Sequence, residues 1–321
     1  MGDVYVIVEQ QQGEIQPVTF ELLGKAAEIA PSLGGQAVAV LLGGNGIAGK
    51  ASGLGAAARV IAVEDDRLAS YTPEAYKAAL VEVLSGREPR LVLIGNTTVG
   101  MDLAAGLSVA LDLPLVAYAS AVAVDGSEVV ATARVYGGKI DAEVGLEGPG
   151  IVSVQAGAFP ADAGQVSGSP EVEEVKSPSA LDQVKTQFVA LQQPEGGDVD
   201  ITAQDTLVSV GRGIQSQDNL EIMQELADAL GGALSASRPI TDNGWLPKSR
   251  QVGKSGLSVK PKLYFCAGIS GAPEHLEGMR DAETIIAINT DENAPIFEVA
   301  HYGVVGDLFD IVPELTEKLK G

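Results

Sequence analysis

The sequence predicts an α/β fold in two domains: an N-terminal Rossmann-like domain with a parallel sheet (residues 1–197, ending in an irregular linker) and a C-terminal doubly wound domain (198–321). Three observations carry this. The chain has 321 residues, more than one ordinary core sustains. Short apolar runs alternate with segments of helical period in two separate series. Glycine is abundant (39 residues) while aromatics make up only 4%, and small residues let helices sit close to a sheet.

The first series opens with Val4–Val8, an unbroken apolar run as expected for a strand buried on both faces. Helical spacing follows over Val18–Ala30. Gln36–Leu42 is a strand, then a glycine-rich turn and a short Ala-rich helix. Val60–Val63 is a strand ended by Glu64-Asp65-Asp66. Pro73–Leu84 is a helix with proline in its first turn. Arg90–Ile94 is a strand and Met101–Leu111 a helix. Beyond Leu113 the helices stop: Leu115–Val124, Glu128–Tyr136 and Ile151–Gln155 extend or edge the sheet. Phe159–Ala180, rich in Pro, Gly, Ser and Glu, is irregular. A last strand, Gln187–Leu191, precedes the polar run Gln192–Gly197 at the boundary.

The second series has strands at Leu207–Val210, Leu263–Ala267 and Thr284–Ile288. Its helices are Asn219–Leu230, with Ser216 or Asp218 as cap, Ala272–Met279, and Asp307–Leu319. In such sheets ligands bind outside the carboxyl ends of the strands, at the point where strand order reverses.

Composition excludes several functions. The net charge is -22, from 43 acids and 21 bases. A surface this acidic repels nucleic acid and anionic membranes. The single cysteine, Cys266, lies in an apolar run and is expected to be a core thiol. There is no CxxC pair and there are only two histidines, His275 and His301, too few for a zinc site without carboxylates. The chain starts on a strand-like run without a basic-then-apolar leader. No run reaches the roughly 20 apolar residues that span a bilayer. A cytoplasmic protein without direct membrane insertion is expected.

Gly44-Asn45-Gly46-Ile47-Ala48-Gly49 fits the GxGxxG dinucleotide pattern, and Glu64 lies 20 residues past Gly44. The loop follows the second strand, however, and the fingerprint normally follows the first. A glycine-rich tight turn explains it as well. The continuation Gly49-Lys50-Ala51 lacks the hydroxyl a P-loop needs at its last position. A stand-alone NAD-dependent oxidoreductase using Gly44 and Glu64 stays open as an alternative.

Three glycine-bearing loops crowd the second domain: Gly211-Arg212-Gly213, Gln251-Val252-Gly253-Lys254-Ser255-Gly256, and Gly268-Ile269-Ser270-Gly271. The last opens a helix that carries His275 in its first turns, so that this histidine should face the ligand mouth. Backbone N–H groups there suit a phosphate. From Arg238 to Lys262 there are six bases (Arg238, Lys248, Arg250, Lys254, Lys260, Lys262) and one acid, Asp242. No nucleophile–base set is apparent. The reading is a site for a large anionic cofactor that does the redox work itself.

The run from Ser237-Arg238-Pro239 through Gly244-Trp245, Gln251–Gly256, Lys260-Pro261-Lys262-Leu263-Tyr264, Gly268–Met279, Ile286–Asn289, Ala294–Phe297 and Tyr302-Gly303 to Gly306-Asp307-Leu308 closely resembles the FAD-binding domain of electron transfer flavoprotein alpha subunits. The first domain resembles theirs more loosely, as a nucleotide-binding-like fold that needs no nucleotide. The resemblance implies FAD as cofactor, a beta subunit as partner, dehydrogenases as donors, and an acceptor such as a quinone oxidoreductase. It implies that Arg238 lies over the flavin ring, Ser255 directs its hydroxyl to N5, and His275 approaches O2. It places Ser270, Gly271, Ala272, Pro273 and Glu274 at the diphosphate side, and Asn289, Asp307 and Leu308 at the ribose and adenine end. Arg212, Ser237, Gln251, Val252, Gly253 and Lys254 line the same cleft. Glu274 and Lys254 each replace a frequent glutamine, and His301 a frequent aspartate. Lys254, Ser255 and His301 are also similar to versions found beside complexes that split electrons from NADH between two acceptors, an alternative left open.

Overall fold

The computed structural model describes residues 2–136, 138–191 and 199–321. The chain divides into two compact units, 1–190 and 191–321. The boundary expected at 197/198 and the polar run Gln192–Gly197 lie outside the described residues.

The strands of the first unit are β1 (Val4–Ile7), a small hairpin of β2 (Gln10–Gln11) and β3 (Glu14–Ile15), β4 (Ala37–Gly43), β5 (Arg59–Glu64), β6 (Leu91–Gly95), β7 (Leu115–Asp125), β8 (Glu128–Val135), β9 (Ile140–Leu146), β10 (Gly150–Val154) and β11 (Glu171–Val175). Its helices are α1 (Pro17–Ile29), α2 (Pro73–Leu84) and α3 (Thr98–Leu111). Nine strands form one sheet in the order β11-β5-β4-β1-β6-β10-β7-β8-β9. The pairs from β11 to β7 are parallel; β7, β8 and β9 form an antiparallel meander. Alternate residues of each central strand face opposite cores. Val4, Val6 and Leu93 meet Leu22, Leu23 and Ala26 of α1, while Tyr5, Ile7 and Ile94 meet Leu80 of α2 and Leu103 of α3.

Strand order reverses between β1 and β6. The crevice there is closed by side chains. Gln10 Nε2 donates to the Tyr76 hydroxyl at 2.7 Å, and that hydroxyl donates to the Leu68 carbonyl. Thr97 caps α3 and donates its hydroxyl to Glu9 at 2.6 Å; burial pushes the Glu9 carboxyl up. The cavity left is about 10 Å³, room for a water molecule and not for a nucleotide. A larger cavity of about 820 Å³ lies at the amino ends of the strands, beside Arg90 and Pro149, away from the end where such sheets bind ligands.

Three sequence expectations fail here. The stretch Phe159–Ala180 is not wholly irregular, because Glu171–Val175 is an edge strand. Its acids masked the pattern, and Arg59 and Arg87 offset the charge on Glu173. β9 also went unread. Residues 187–191 are no strand. The chain just before them is held from the side, where the Glu74 carboxylate accepts the backbone N–H groups of Lys185 and Thr186.

The second unit holds β12 (Thr206–Val210), α4 (Leu220–Ala229), β13 (Ala233–Ala236), α5 (Arg238–Asp242), β14 (Leu263–Ala267), α6 (Pro273–Leu276), β15 (Thr284–Asn289), β16 (Tyr302–Val305) and α7 (Leu308–Lys320). All five strands are parallel, in the order β13-β12-β14-β15-β16. Helices α4 and α7 cover one face through Met223, Leu226 and Val312. The other face is covered by loops bearing Val252, Val259 and Ile269, by a 3-10 turn bearing Ile296, and by Leu276 of α6. Cys266 is buried in that face, and burial pushes its thiol up. β13 and β16 are four residues each, short enough to escape a pattern search. No helix among the described residues is long and apolar enough to cross a membrane.

Candidate functional site

In the second unit strand order reverses between β12 and β14, so their carboxyl ends define the crevice. Two glycine loops leave from there. A Cβ on Gly211 would lie 2.3 Å from the Gly268 carbonyl, and one on Gly213 would lie 2.6 Å from the Gly268 Cα. The loops therefore pack backbone on backbone, joined by the Gly213 N–H donating to the Gly268 carbonyl. Arg212 rises exposed between the two glycines.

The third loop closes the site from the α5 side. Ser237 is buried, its N–H on the Val210 carbonyl, and Arg238 opens α5 as an exposed cation that Asp242 holds at 3.2 Å. Thr241 of α5 donates to Gln251 Oε1 at 2.7 Å, and Gln251 Nε2 donates to Ser255 Oγ at 2.9 Å. One buried amide thus ties the element bearing Arg238 to the loop bearing Ser255. Gly253 has φ +132 and presses on the Glu274 carbonyl, which accepts the Lys254 N–H. The Lys254 amine pairs with Glu277 at 3.6 Å. This loop lies directly on the turn that carries His275.

That turn is shorter than expected. The helix expected over Ala272–Met279 is the single turn Pro273–Leu276, because Gly278 must pass against Gly253. His275 does not stand at an open mouth; only 6% of it is exposed. Its Nε2 lies 3.1 Å from the Tyr264 hydroxyl, and its Nδ1 is buried without a hydrogen-bond partner among the described residues. Burial pushes its pKa down to about 4; the Val252 backbone, close to the ring but making no hydrogen bond of normal geometry with it, opposes this.

The remaining expected residues are near. Ser270, Ala272, Pro273 and Glu274 are exposed along the rim, and Gly271 is pinned against Ile296. Asn289 donates to the Ile269 carbonyl, fixing the same loop. Asp307 caps α7 through the Phe309 N–H. Val252 and Leu308 are core side chains, and the Gln251 amide is spent within the protein, so these three are not exposed for side-chain contact. Sequence reasoning missed Tyr264, Ser209, Ser235 and Thr241. Lone hydroxyls inside the apolar strands Thr206–Val210 and Ala233–Ala236 were the available signal.

The glycine loop of the first unit looks different. Gly46 leads into 3-10 turns over Ile47–Gly53 and not an α-helix. The Glu64 carboxylate accepts the Ala48 N–H at 2.8 Å. The acid and the N–H that would hold a dinucleotide satisfy each other. Gly46→Ala meets no atom within 4 Å, though φ is +88. The expected cost is about 1–2 kcal/mol from the left-handed backbone, with flavin content unchanged; loss of bound cofactor in that variant would revive the NAD reading.

Residues 4–180 match the electron transfer flavoprotein domain, and residues 200–280 match the electron transfer flavoprotein FAD-binding domain. The chain is 35% identical to Protein FixB of Clostridium saccharobutylicum, over 99% of this chain and 96% of that one. It is 36% identical to the electron transfer flavoprotein subunit alpha of Syntrophomonas wolfei, over the full length of both, and 37% identical to that of Megasphaera elsdenii, over 99% and 96%. The chain belongs to the electron transfer flavoprotein alpha-subunit family. Its cofactor is FAD, the ligand of the matched domain. The crevice suits such a group: its glycine loops pack backbone on backbone at the carboxyl ends of β12 and β14, leaving short turns there, and a buried imidazole nitrogen lacks a hydrogen-bond partner among the described residues.

Proposed function

We propose that the chain is the FAD-bearing half of a cytoplasmic two-subunit electron carrier, paired with a beta subunit. The observation that carries this is the glycine-walled crevice at the β12/β14 switch point, with the unpartnered His275 nitrogen beside it, in the stretch that matches the FAD-binding domain. Bound FAD supplies the electron chemistry. The chain's residues bind and tune it. The rim Ser270–Glu274 and Gly271 hold the diphosphate through backbone N–H groups. Arg238 lies over the ring as a tethered cation, which favours the reduced, more negative form. Ser255 offers its hydroxyl, with Gln251 behind it. Arg212, Ser237, Gly253 and Lys254 line the cleft, and Asn289 and Asp307 stand toward the ribose and adenine. Dehydrogenases supply the electrons and a quinone-linked or similar oxidoreductase takes them.

The test is an absorption spectrum, flavin-to-protein ratio and midpoint potential of the co-purified pair, wild type beside Arg238→Ala. The expected result is a yellow complex whose potential falls in the variant by on the order of tens of millivolts. A colourless complex, or a potential that ignores Arg238, overturns the reading. Two FAD per pair with NADH oxidation split between two acceptors would move it to the bifurcating alternative.

A further inference from the structure

Tyr264 has no part in the reading so far. It lies on β14, fully buried, with its hydroxyl 2.7 Å from Ser209 Oγ and 3.1 Å from His275 Nε2. Ser209 on β12 is in register with Ser235 on β13, and both are completely buried. Ser209, Tyr264 and His275 therefore form a hydrogen-bonded row through the floor of the sheet to the turn that bears His275, while the Ser235 hydroxyl beside it has no hydrogen-bond partner among the described residues. Polar groups at this depth destabilise a core unless they are hydrogen-bonded. An apolar row of the same volume would serve packing better. The last member of the row is His275, and its buried Nδ1 lacks a hydrogen-bond partner among the described residues.

We propose that Tyr264 is a positioning residue for His275: its hydroxyl occupies Nε2, fixes the imidazole in one tautomer and ring orientation, and so leaves Nδ1 as the nitrogen that meets the polar edge of the flavin ring. The two nitrogens of a neutral imidazole are one donor and one acceptor. Whatever role Tyr264 imposes on Nε2, Nδ1 takes the opposite one. Ser209 stands behind and completes the hydroxyl's second hydrogen bond. The proposal rests on the FAD reading of the same crevice.

The experiment is Tyr264→Phe, which removes one oxygen and keeps the ring. Nitrogen-15 NMR of His275 in the purified flavoprotein, with and without FAD, reads the tautomer directly. Wild type is expected to show one tautomer and the variant a mixture. FAD affinity is expected to fall about tenfold in the variant, the scale of one buried hydrogen bond. That loss should vanish when Tyr264→Phe is made in a His275→Ala background, since a positioning group has nothing left to position. An unchanged tautomer, or an equal loss in the His275→Ala background, overturns the proposal. If Tyr264→Phe does not fold, Ser209→Ala loosens the same hydroxyl from behind and is expected to shift the tautomer in the same direction; no shift there overturns it too. Wild-type protein that binds no FAD would sink the functional reading, while the flavin-free spectrum would still report on Tyr264 and His275.

Discussion

Gly271→Ala is expected to leave the protein without its flavin. The residue has φ +88, a backbone region that costs an L side chain about 1–2 kcal/mol. That is the smaller problem. The new Cβ would sit 2.2 Å from the Ile296 nitrogen and 2.7 Å from its Cα. Neither atom can yield easily. Ile296 is completely buried, and its N–H donates to the Ser270 carbonyl, one residue from the mutation. Relieving the clash breaks that bond and moves the Ser270–Gly271 turn, which is the rim assigned to the diphosphate. A total loss above about 3 kcal/mol is expected for the second unit. Gly231→Ala is the control. It also has positive φ (+65) but no atom within 4 Å, so it should cost only the backbone strain and keep its flavin. Flavin absorbance per protein and the melting temperature decide the matter. A Gly271→Ala protein with full flavin and a melt near wild type would show that this turn is not part of the site.

The contrast between those two glycines also marks how far the sequence can be read. Their types and neighbours announce turns in both cases. Only the fold says that one of them is backed by the chain near residue 296. Local signals were legible: the helix Pro73–Leu84 has the bounds its proline and apolar spacing suggest, and strand Leu263–Ala267 matches its apolar run. The glycine loops at 211, 253 and 268 were legible as turns, and the structure brings them to one crevice. What escaped was set by partners distant in sequence. Glu171–Val175 is a strand because β5 offers an open edge and Arg59 and Arg87 offset Glu173, none of which its own residues announce. His275 was expected at an open mouth because it stands in the first turn after the glycine-serine loop; the loop at Gly253, packed against Gly278 and the Glu274 carbonyl, lies over that turn, and the ring is buried. Gln251 reads as a ligand-facing amide until Thr241 and Ser255 are seen to claim both its ends.

Acidification is expected to weaken the second unit through that inward turn. Burial lowers the His275 pKa to about 4, against about 6.5 in an unfolded chain. The folded state holds the ring neutral, and the unfolded state takes up a proton first. Between pH 6.5 and 4 the unfolded state therefore binds more protons, and stability falls as pH falls. Above pH 6.5 the ring is neutral in both states and contributes no slope. At pH 5 the expected loss from this one group is about 2 kcal/mol, approaching about 3 kcal/mol near pH 4. Carboxylates titrate in the same window, so the wild-type slope alone decides nothing. His275→Gln removes the imidazole and leaves the carboxylates in place. Urea midpoints at pH 7 and pH 5, on flavin-free protein of both forms, isolate the difference; flavin must be absent because a bound ligand adds its own stabilisation. Wild type should lose about 2 kcal/mol more than the variant between the two pH values. Equal losses would mean that the ring charges in place, which the apolar packing around it and the missing Nδ1 partner oppose. A ring held neutral in this way meets a cofactor as a hydrogen-bonding group rather than as a fixed charge. On the proposed reading the permanent positive charge at the site then falls to Arg212, Arg238 and Lys254.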